Sequence, residues 1–179
     1  MIDALVANNC IVDHTEEKIK ATKGYDCVVS YGYRHILKQN VIDGFDCPIF
    51  NLHISYLPYN RGAHPNFWSF YDNTPSGVTI HLIDSGVDTG QIVKQKYVNF
   101  QESDDTFVKT YSALIENIEN LFLEFLPSLL IDTWTVKKQR GIGTHHYLRD
   151  LPTNFSGWNS VITEELSRLD KKGLVYESQ

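Results

Sequence analysis

Between Phe107 and Phe125 the sequence places Phe107, Tyr111, Leu114, Ile115, Ile118, Leu121, Phe122 and Phe125 on a single face at a spacing of about 3.6 residues. A helix with one apolar stripe must bury that stripe against a second layer of structure. Ser103 is its expected N-cap, and Pro127 its expected end. Upstream, residues 25–31 and 48–54 are short, apolar and bounded by breaks, as buried strands are. Between them Ile36, Leu37, Val41 and Ile42 have helical spacing, stopped by Gly44. Residues 78–83 and 91–98 alternate apolar with polar around Asp84-Ser85-Gly86, which reads as two neighbouring strands joined by a loop. A short helix is expected around Phe67, Trp68, Phe70 and Tyr71, an extended piece at 133–136, and a last helix over 160–169. The alternation of strands and helices argues for α/β layering.

Charge and cysteine usage remove several classes of function. The net charge is −6, and the densest basic group is only Lys137, Lys138 and Arg140, so a nucleic-acid partner is not expected. Cys10, Cys27 and Cys47 are odd in number and widely spaced, which offers neither a disulfide framework nor a C-x-x-C motif and suits a reducing cytoplasm. No apolar run approaches the roughly 20 residues that span a bilayer, and no basic stretch followed by an apolar core opens the chain. The expectation is a single cytoplasmic domain over residues 1–179, with a core at about 25–131 and an extension over 132–179.

Two places carry chemistry. Asn51 and His53 end a predicted strand, where period-2 alternation sends both side chains to one face. A histidine in that position is ordinarily a hydrogen-bonded core residue, and catalysis is the less common role. The second place, Asp84-Ser85-Gly86-Val87-Asp88-Thr89-Gly90, sets two carboxylates in a glycine-punctuated loop that two solvated Asx turns would equally explain. Its Asp-Thr-Gly tripeptide also matches the half-site of aspartic proteases. Those folds are nearly all strand, which the long amphipathic helix contradicts.

The ordered set Asn51-Leu52-His53, Leu57-Pro58-Tyr59-Asn60-Arg61-Gly62, Gly77-Val78-Thr79-Ile80-His81 and Asp84-Ser85-Gly86-Val87-Asp88 resembles the folate-dependent formyltransferases, over roughly residues 26–126. The resemblance implies a Rossmann-like α/β fold: a mixed, mostly parallel sheet flanked by helices, here with an abbreviated N-terminal half. It also implies 10-formyltetrahydrofolate as donor, no metal, and a catalytic trio of Asn51, His53 and Asp88. An amine attacking a formyl carbonyl makes a tetrahedral oxyanion, which an amide donor such as Asn51 suits, by roughly 3 to 4 kcal/mol for donors of this kind. His53 would act as general base or, protonated, as a second donor, with Asp88 raising its pKa. By resemblance the pterin lies between residues 33–37 and 83–88, against Tyr33, His35, Ile36, Leu37, Ile83, Asp84 and Val87.

Known relatives formylate glycinamide ribonucleotide, initiator methionyl-tRNA or a nucleotide-linked amino sugar. Residues 1–24 lack the glycine-rich phosphate turn of the ribonucleotide enzymes, and the acidic balance speaks against tRNA. The aromatic loop 59–68 and Gly143-Thr144-His145-His146 most resemble small sugar-nucleotide N-formyltransferases of the pseudaminic acid type. Arg61, His64 and Trp68 are then the expected acceptor contacts, for a phosphate or carboxylate and a sugar ring. His145 and His146 have no third ligand at a metal-binding spacing. A glycinamide ribonucleotide enzyme, a donor hydrolase and an inactive folate-binding module stay open, and the aromatic content is compatible with a homodimer.

Overall fold

The structure is a computed structural model that describes residues 1–173, with side chains to Leu169. Its main sheet has four strands, β1 (Val28–Tyr31), β2 (Ile49–His53), β4 (Gly77–Leu82) and β5 (Ile92–Tyr97), in the order β1-β2-β4-β5. β1 runs parallel to β2, whereas β2–β4 and β4–β5 are antiparallel. The sheet is mixed, as expected, but its parallel share is smaller than expected. Residues 1–27 explain this, because they form one short helix, α1 (Ile2–Ala7), and otherwise irregular chain, so they add no strand beside β1. A second, two-stranded parallel sheet joins β3 (Arg61–Gly62) to β6 (His145–His146).

Alternation along the strands sorts the two faces of the main sheet. Phe50 and Leu52 of β2 and Val78 and Ile80 of β4 point to one side, where the 24-residue helix α4 (Phe107–Leu130) lays Leu114, Ile118, Leu121, Phe122 and Phe125 over them. Phe50, Val78, Ile80, Ile118 and Phe122 are wholly buried, each contributing about 1.5–3 kcal/mol relative to exposure. The other face receives Asn51, His53, Thr79 and His81, since register sets Asn51 opposite His81 and His53 opposite Thr79.

The helix boundaries differ from those expected. Thr106, in extended backbone and bridged to Val161, is the N-cap, while the Ser103 carbonyl accepts a hydrogen bond from Lys109 Nζ. Pro127 lies inside α4 and does not end it. The carbonyl it leaves without a partner belongs to Leu123, a residue on the solvent side of the helix, where water can serve it. Only Gln39–Ile42 of the expected 36–42 segment is helical (α2), leaving Ile36 80% exposed.

A smaller core seats the segment that follows α4. Phe67 and Trp68 of α3 (Pro65–Tyr71) pack with Phe107, Phe155, Ile162 and Leu169, the last two from α5 (Ile162–Gly173). No helix among the described residues is long and apolar enough to cross a membrane.

Candidate active site

β2, β3, β4 and the β4–β5 loop converge on the polar face of the sheet. Asp88, at φ 52° in the left-handed region, turns its carboxylate back over the ends of β2 and β4. Oδ2 accepts the Gly62 backbone N–H at 2.8 Å and lies 3.6 Å from His53 Nε2. Oδ1 accepts Asn51 Nδ2 at 3.3 Å and lies 3.4 Å from His81 Nε2. The structure therefore brings Asn51, His53 and Asp88 together, with His81 as a fourth member. His81 is 2% exposed, its Nδ1 facing the Leu82 carbonyl at 2.8 Å and its Nε2 lying 3.2 Å from Asn51 Nδ2.

The protonation of His53 follows from its neighbours. Besides Asp88, its Nε2 faces the Asn60 carbonyl at 3.3 Å. Both groups only accept, so in the neutral ring Nε2 carries the proton and Nδ1 is the basic nitrogen. Asn60 is itself fixed, donating from Nδ2 to Thr74 and accepting at Oδ1 from the Thr144 hydroxyl, which also takes its backbone N–H.

Burial lowers the pKa of His53, and this outweighs the raising effect of Asp88, while His81 pushes the same way as burial. The expectation that Asp88 raises the pKa of His53 holds for the pair but not for the net shift: desolvation of the cation is the larger effect, which favours the general-base role of the two left open. For Asp88 the balance is opposite. Burial by itself raises its carboxyl, but His53, His81 and the Gly62 N–H together hold it well below the usual carboxylate range. Part of that depression calls for a charge on His53 that the burial of His53 opposes. The state consistent with both residues is an ionised Asp88 beside a neutral His53, with the Gly62 N–H supporting the carboxylate whichever way the histidine titrates.

Gln139, from the segment after α4, closes the arrangement. Its Nε2 donates to the carbonyls of Asp88 and Gly90, each at 2.8 Å, and its Oε1 accepts from Arg61 Nε at 3.1 Å and Nη2 at 2.7 Å. Arg61 thus spends two of its donors on Gln139. His64 caps α3 at φ 55°, half-buried and with its pKa lowered by burial, its ring centroid 5.2 Å from that of Trp158.

The expectation for Trp68 is corrected. Its ring is 6% exposed, stacked on His146 at 3.9 Å and met edge-on by Phe67, so it serves the smaller core and offers no face to a sugar. His146 is committed to Trp68 and to Asp72 at 2.8 Å, while His145 meets Tyr147.

Among the residues expected against the pterin, Ile36 and Val87 expose 80% and 40% of their surface, and Leu37 and Ile83 are half-buried. They are therefore not core, and they leave apolar surface free on both loops. Tyr33 Oη is occupied by residues 17–19, accepting the Ile19 N–H and donating to the Glu17 carbonyl. His35 packs edge-on against Tyr33. Asp84 is exposed and turns inward on its own loop, accepting from Gly86 N and Thr89 Oγ1.

His81, Gln139, Asn60 and Gly62 were not among the expected site residues. The alternation of residues 77–82 carries a signal for His81 once β4 is paired with β2 in the observed register. Gln139, 51 residues beyond Asp88, has no local signal.

Comparison with known proteins agrees with this geometry. Residues 7–126 match the family model described as Formyl transferase. A dTDP-4-amino-4,6-dideoxyglucose formyltransferase of Mycobacterium bovis is 30% identical over 158 residues, which cover 88% of this chain and 61% of that protein. The chain thus spans less than two thirds of that relative's length. The crystal structure of the formyltransferase PseJ from Anoxybacillus kamchatkensis, in complex with UDP-4,6-dideoxy-4-formamido-L-AltNAc and tetrahydrofolate, is 38% identical, with a TM-score of 0.82 over 90% of this chain and 89% of that one. An N-formyltransferase of Helicobacter canadensis, in complex with folinic acid and dTDP-3-aminofucose, is 26% identical, with a TM-score of 0.65 over 86% and 57%. With a family model matching more than half of its length, and with Asn51, His53 and Asp88 assembled on one sheet face, this chain belongs to the formyl transferase family.

Proposed function

We propose that this protein is an N-formyltransferase that moves the formyl group of 10-formyltetrahydrofolate to the amine of a nucleotide-linked 4-amino-4,6-dideoxy sugar. The observation that carries the reading is the near full-length likeness to the solved PseJ complex, which holds a UDP-linked formamido sugar and tetrahydrofolate. The residues supply a coherent mechanism. Asn51, anchored at Nδ2 by Asp88, has a second N–H for the oxyanion that forms as the amine attacks. Neutral His53 takes the amine proton at Nδ1, and the imidazolium so formed is stabilised across Nε2 by ionised Asp88; collapse of the tetrahedral adduct then breaks the bond from the formyl carbon to N10 of the folate, which leaves with the proton returned by His53. The exposed Ile36 and Val87, with half-buried Leu37 and Ile83, supply apolar walls for the pterin of the donor. Arg61, held by Gln139, and His64, at the N-terminus of α3, are the acceptor contacts in this reading.

The extension after residue 131 belongs to this catalytic unit in the same reading, since β6 pairs with β3 and Gln139 holds the Asp88 carbonyl. The testing experiment supplies 10-formyltetrahydrofolate with UDP- and dTDP-linked amino sugars, with glycinamide ribonucleotide as comparison, and follows tetrahydrofolate. Turnover with an amino sugar is expected. Turnover only with the ribonucleotide, formyl release without an amine, or tight folate binding with no turnover would each overturn the reading.

A further inference from the structure

Between α4 and β6 the chain is exposed at Val136, Lys137, Lys138 and Arg140, yet Gln139 among them is half-buried, its carboxamide turned toward the β4–β5 loop. Its partners fix which way that amide points. The carbonyls of Asp88 and Gly90 only accept, so the NH2 group faces them, and the Arg61 guanidinium only donates, so the oxygen faces it. Both N–H groups and both lone pairs are therefore used, and the two contacts from Arg61 are charge-assisted.

The segment that carries Gln139 has anchors of its own. Ile92 and Lys137 exchange both backbone hydrogen bonds, at 2.8 and 2.9 Å, and the Thr144 carbonyl accepts the Arg61 N–H at 3.0 Å. It is the β4–β5 loop that depends on the carboxamide. Asp84 ties the outer end of that loop, accepting from the Gly86 N–H and the Thr89 hydroxyl. At the inner end Asp88 stands at φ 52°, a strained setting for a residue with a Cβ, and Gln139 clamps the backbone on either side of Thr89. Two consecutive residues of β3 thus grip Asp88: Gly62 holds the carboxylate directly, and Arg61 reaches the main chain through Gln139.

We infer that Gln139 is a positioning residue for formyl transfer: oriented by Arg61, its two N–H groups hold the backbone at Asp88 and Gly90 so that the Asp88 carboxylate faces His53. Without them the Asp88 backbone relaxes out of the left-handed region and carries the carboxylate away from its place 3.6 Å from His53 Nε2. The effect on turnover rests on the proposed function; the placement of Asp88 does not.

The test combines kcat from single-turnover formyl transfer at saturating substrates with an NMR titration of the His53 imidazole in the substrate-free chain. It compares the wild type with Gln139→Ala, Gln139→Glu, Asp88→Asn and Gln139→Ala/Asp88→Asn, each checked by a thermal melt. Gln139→Ala is expected to lower kcat at least about tenfold, as the loss of one or two hydrogen bonds would. Gln139→Glu keeps the size and the Arg61 contact but sets oxygen against both carbonyls, and should lower kcat at least as far. In the Asp88→Asn background the Gln139→Ala change should matter by less than about twofold, because the two residues act on one interaction. Asp88 and His81 are the titratable groups that face His53, and of the two only Asp88 raises its pKa. The His53 midpoint should therefore fall in Gln139→Ala toward its value in Asp88→Asn, and no further in the double variant. Full additivity of the two substitutions, an unmoved His53 midpoint, or near-normal turnover in both Gln139 variants would overturn the inference. Loss of a cooperative melt in both would do the same, making Gln139 a residue of the fold alone. A wild-type chain that formylates no amine would instead retire the proposed function, and the His53 titration would then decide the placement of Asp88 by itself.

Discussion

Replacing Asp88 by Asn removes one charge from the centre of the site and changes little of its shape. In the wild type the carboxylate is 3.6 Å from His53 Nε2, with 13% of the Asp88 side chain exposed. At that separation and an effective dielectric constant of about 20, a carboxylate and an imidazolium attract by about 4 to 5 kcal/mol. The interaction exists only once His53 has taken a proton, so its loss falls on the transition state and not on the resting enzyme. At about 1.4 kcal/mol per tenfold, kcat should drop by roughly three orders of magnitude. The amide nitrogen of the new residue must also face either the Gly62 N–H or Asn51 Nδ2, donor against donor, which costs about 1–3 kcal/mol for the unsatisfied group. Removing a buried charge offsets part of that cost, so the protein should remain folded with donor affinity near normal. The assay is single-turnover formyl transfer at saturating donor and acceptor, beside a thermal melt and a tetrahydrofolate titration. A kcat within tenfold of the wild type, in a protein that melts normally, would refute the argument.

The remaining predictions concern pH, backbone and core. Burial keeps His53 neutral below its usual pKa, so the acid limb of the kcat/KM profile should lie below about 6.5, and lower still in Asp88→Asn; a limb at or above 6.5 would contradict the assignment. The same displacement has a stability counterpart: as pH falls through the unfolded histidine value the unfolded chain binds the proton first, so denaturant midpoints should decline over that window. Gly62→Ala should cost at least about 1–3 kcal/mol, because φ is 85° and a methyl would collide with the His146 carbonyl; an unchanged melting temperature would refute this. Phe122→Ala, at a wholly buried position against β2 and β4, should cost about 3–5 kcal/mol in urea unfolding, and a loss under 1 kcal/mol would mean that the α4 interface is not the core.

The residues that were legible in sequence owe it to local periodicity. Alternation in residues 48–54 and 77–82 sets Phe50, Leu52, Val78 and Ile80 against α4, and the same alternation sends Asn51 and His53 the other way. His81 carries no local signal of its place in the site, because its meeting with Asn51 depends on the register between two strands, which neither strand encodes alone. Gln139 depends on a chain reversal 51 residues after Asp88. Trp68 misled because an aromatic in a loop-rich stretch suits a sugar site and a second core alike, and the decision rests on Phe155, Ile162 and Leu169, far along the chain. The direction of the His53 shift was missed because an adjacent carboxylate is visible in sequence, whereas the depth of burial is not.

The left-handed backbone at Asp88 has a consequence for how the protein matures. Asp88 is not a glycine, so its φ of 52° is unfavourable by itself, and the contacts that hold it come from Gly62 and from Gln139. Gly62 is aligned through β6, and Gln139 lies in the segment following α4, so both supports arrive late in synthesis. A nascent chain ending at α4 carries Asn51, His53, Gly62 and His81 around the Asp88 carboxylate, but it lacks Gln139 on the Asp88 carbonyl and β6 beside Gly62. Full support of the left-handed backbone at Asp88 therefore waits until residues 139 to 146 have been made and have folded back.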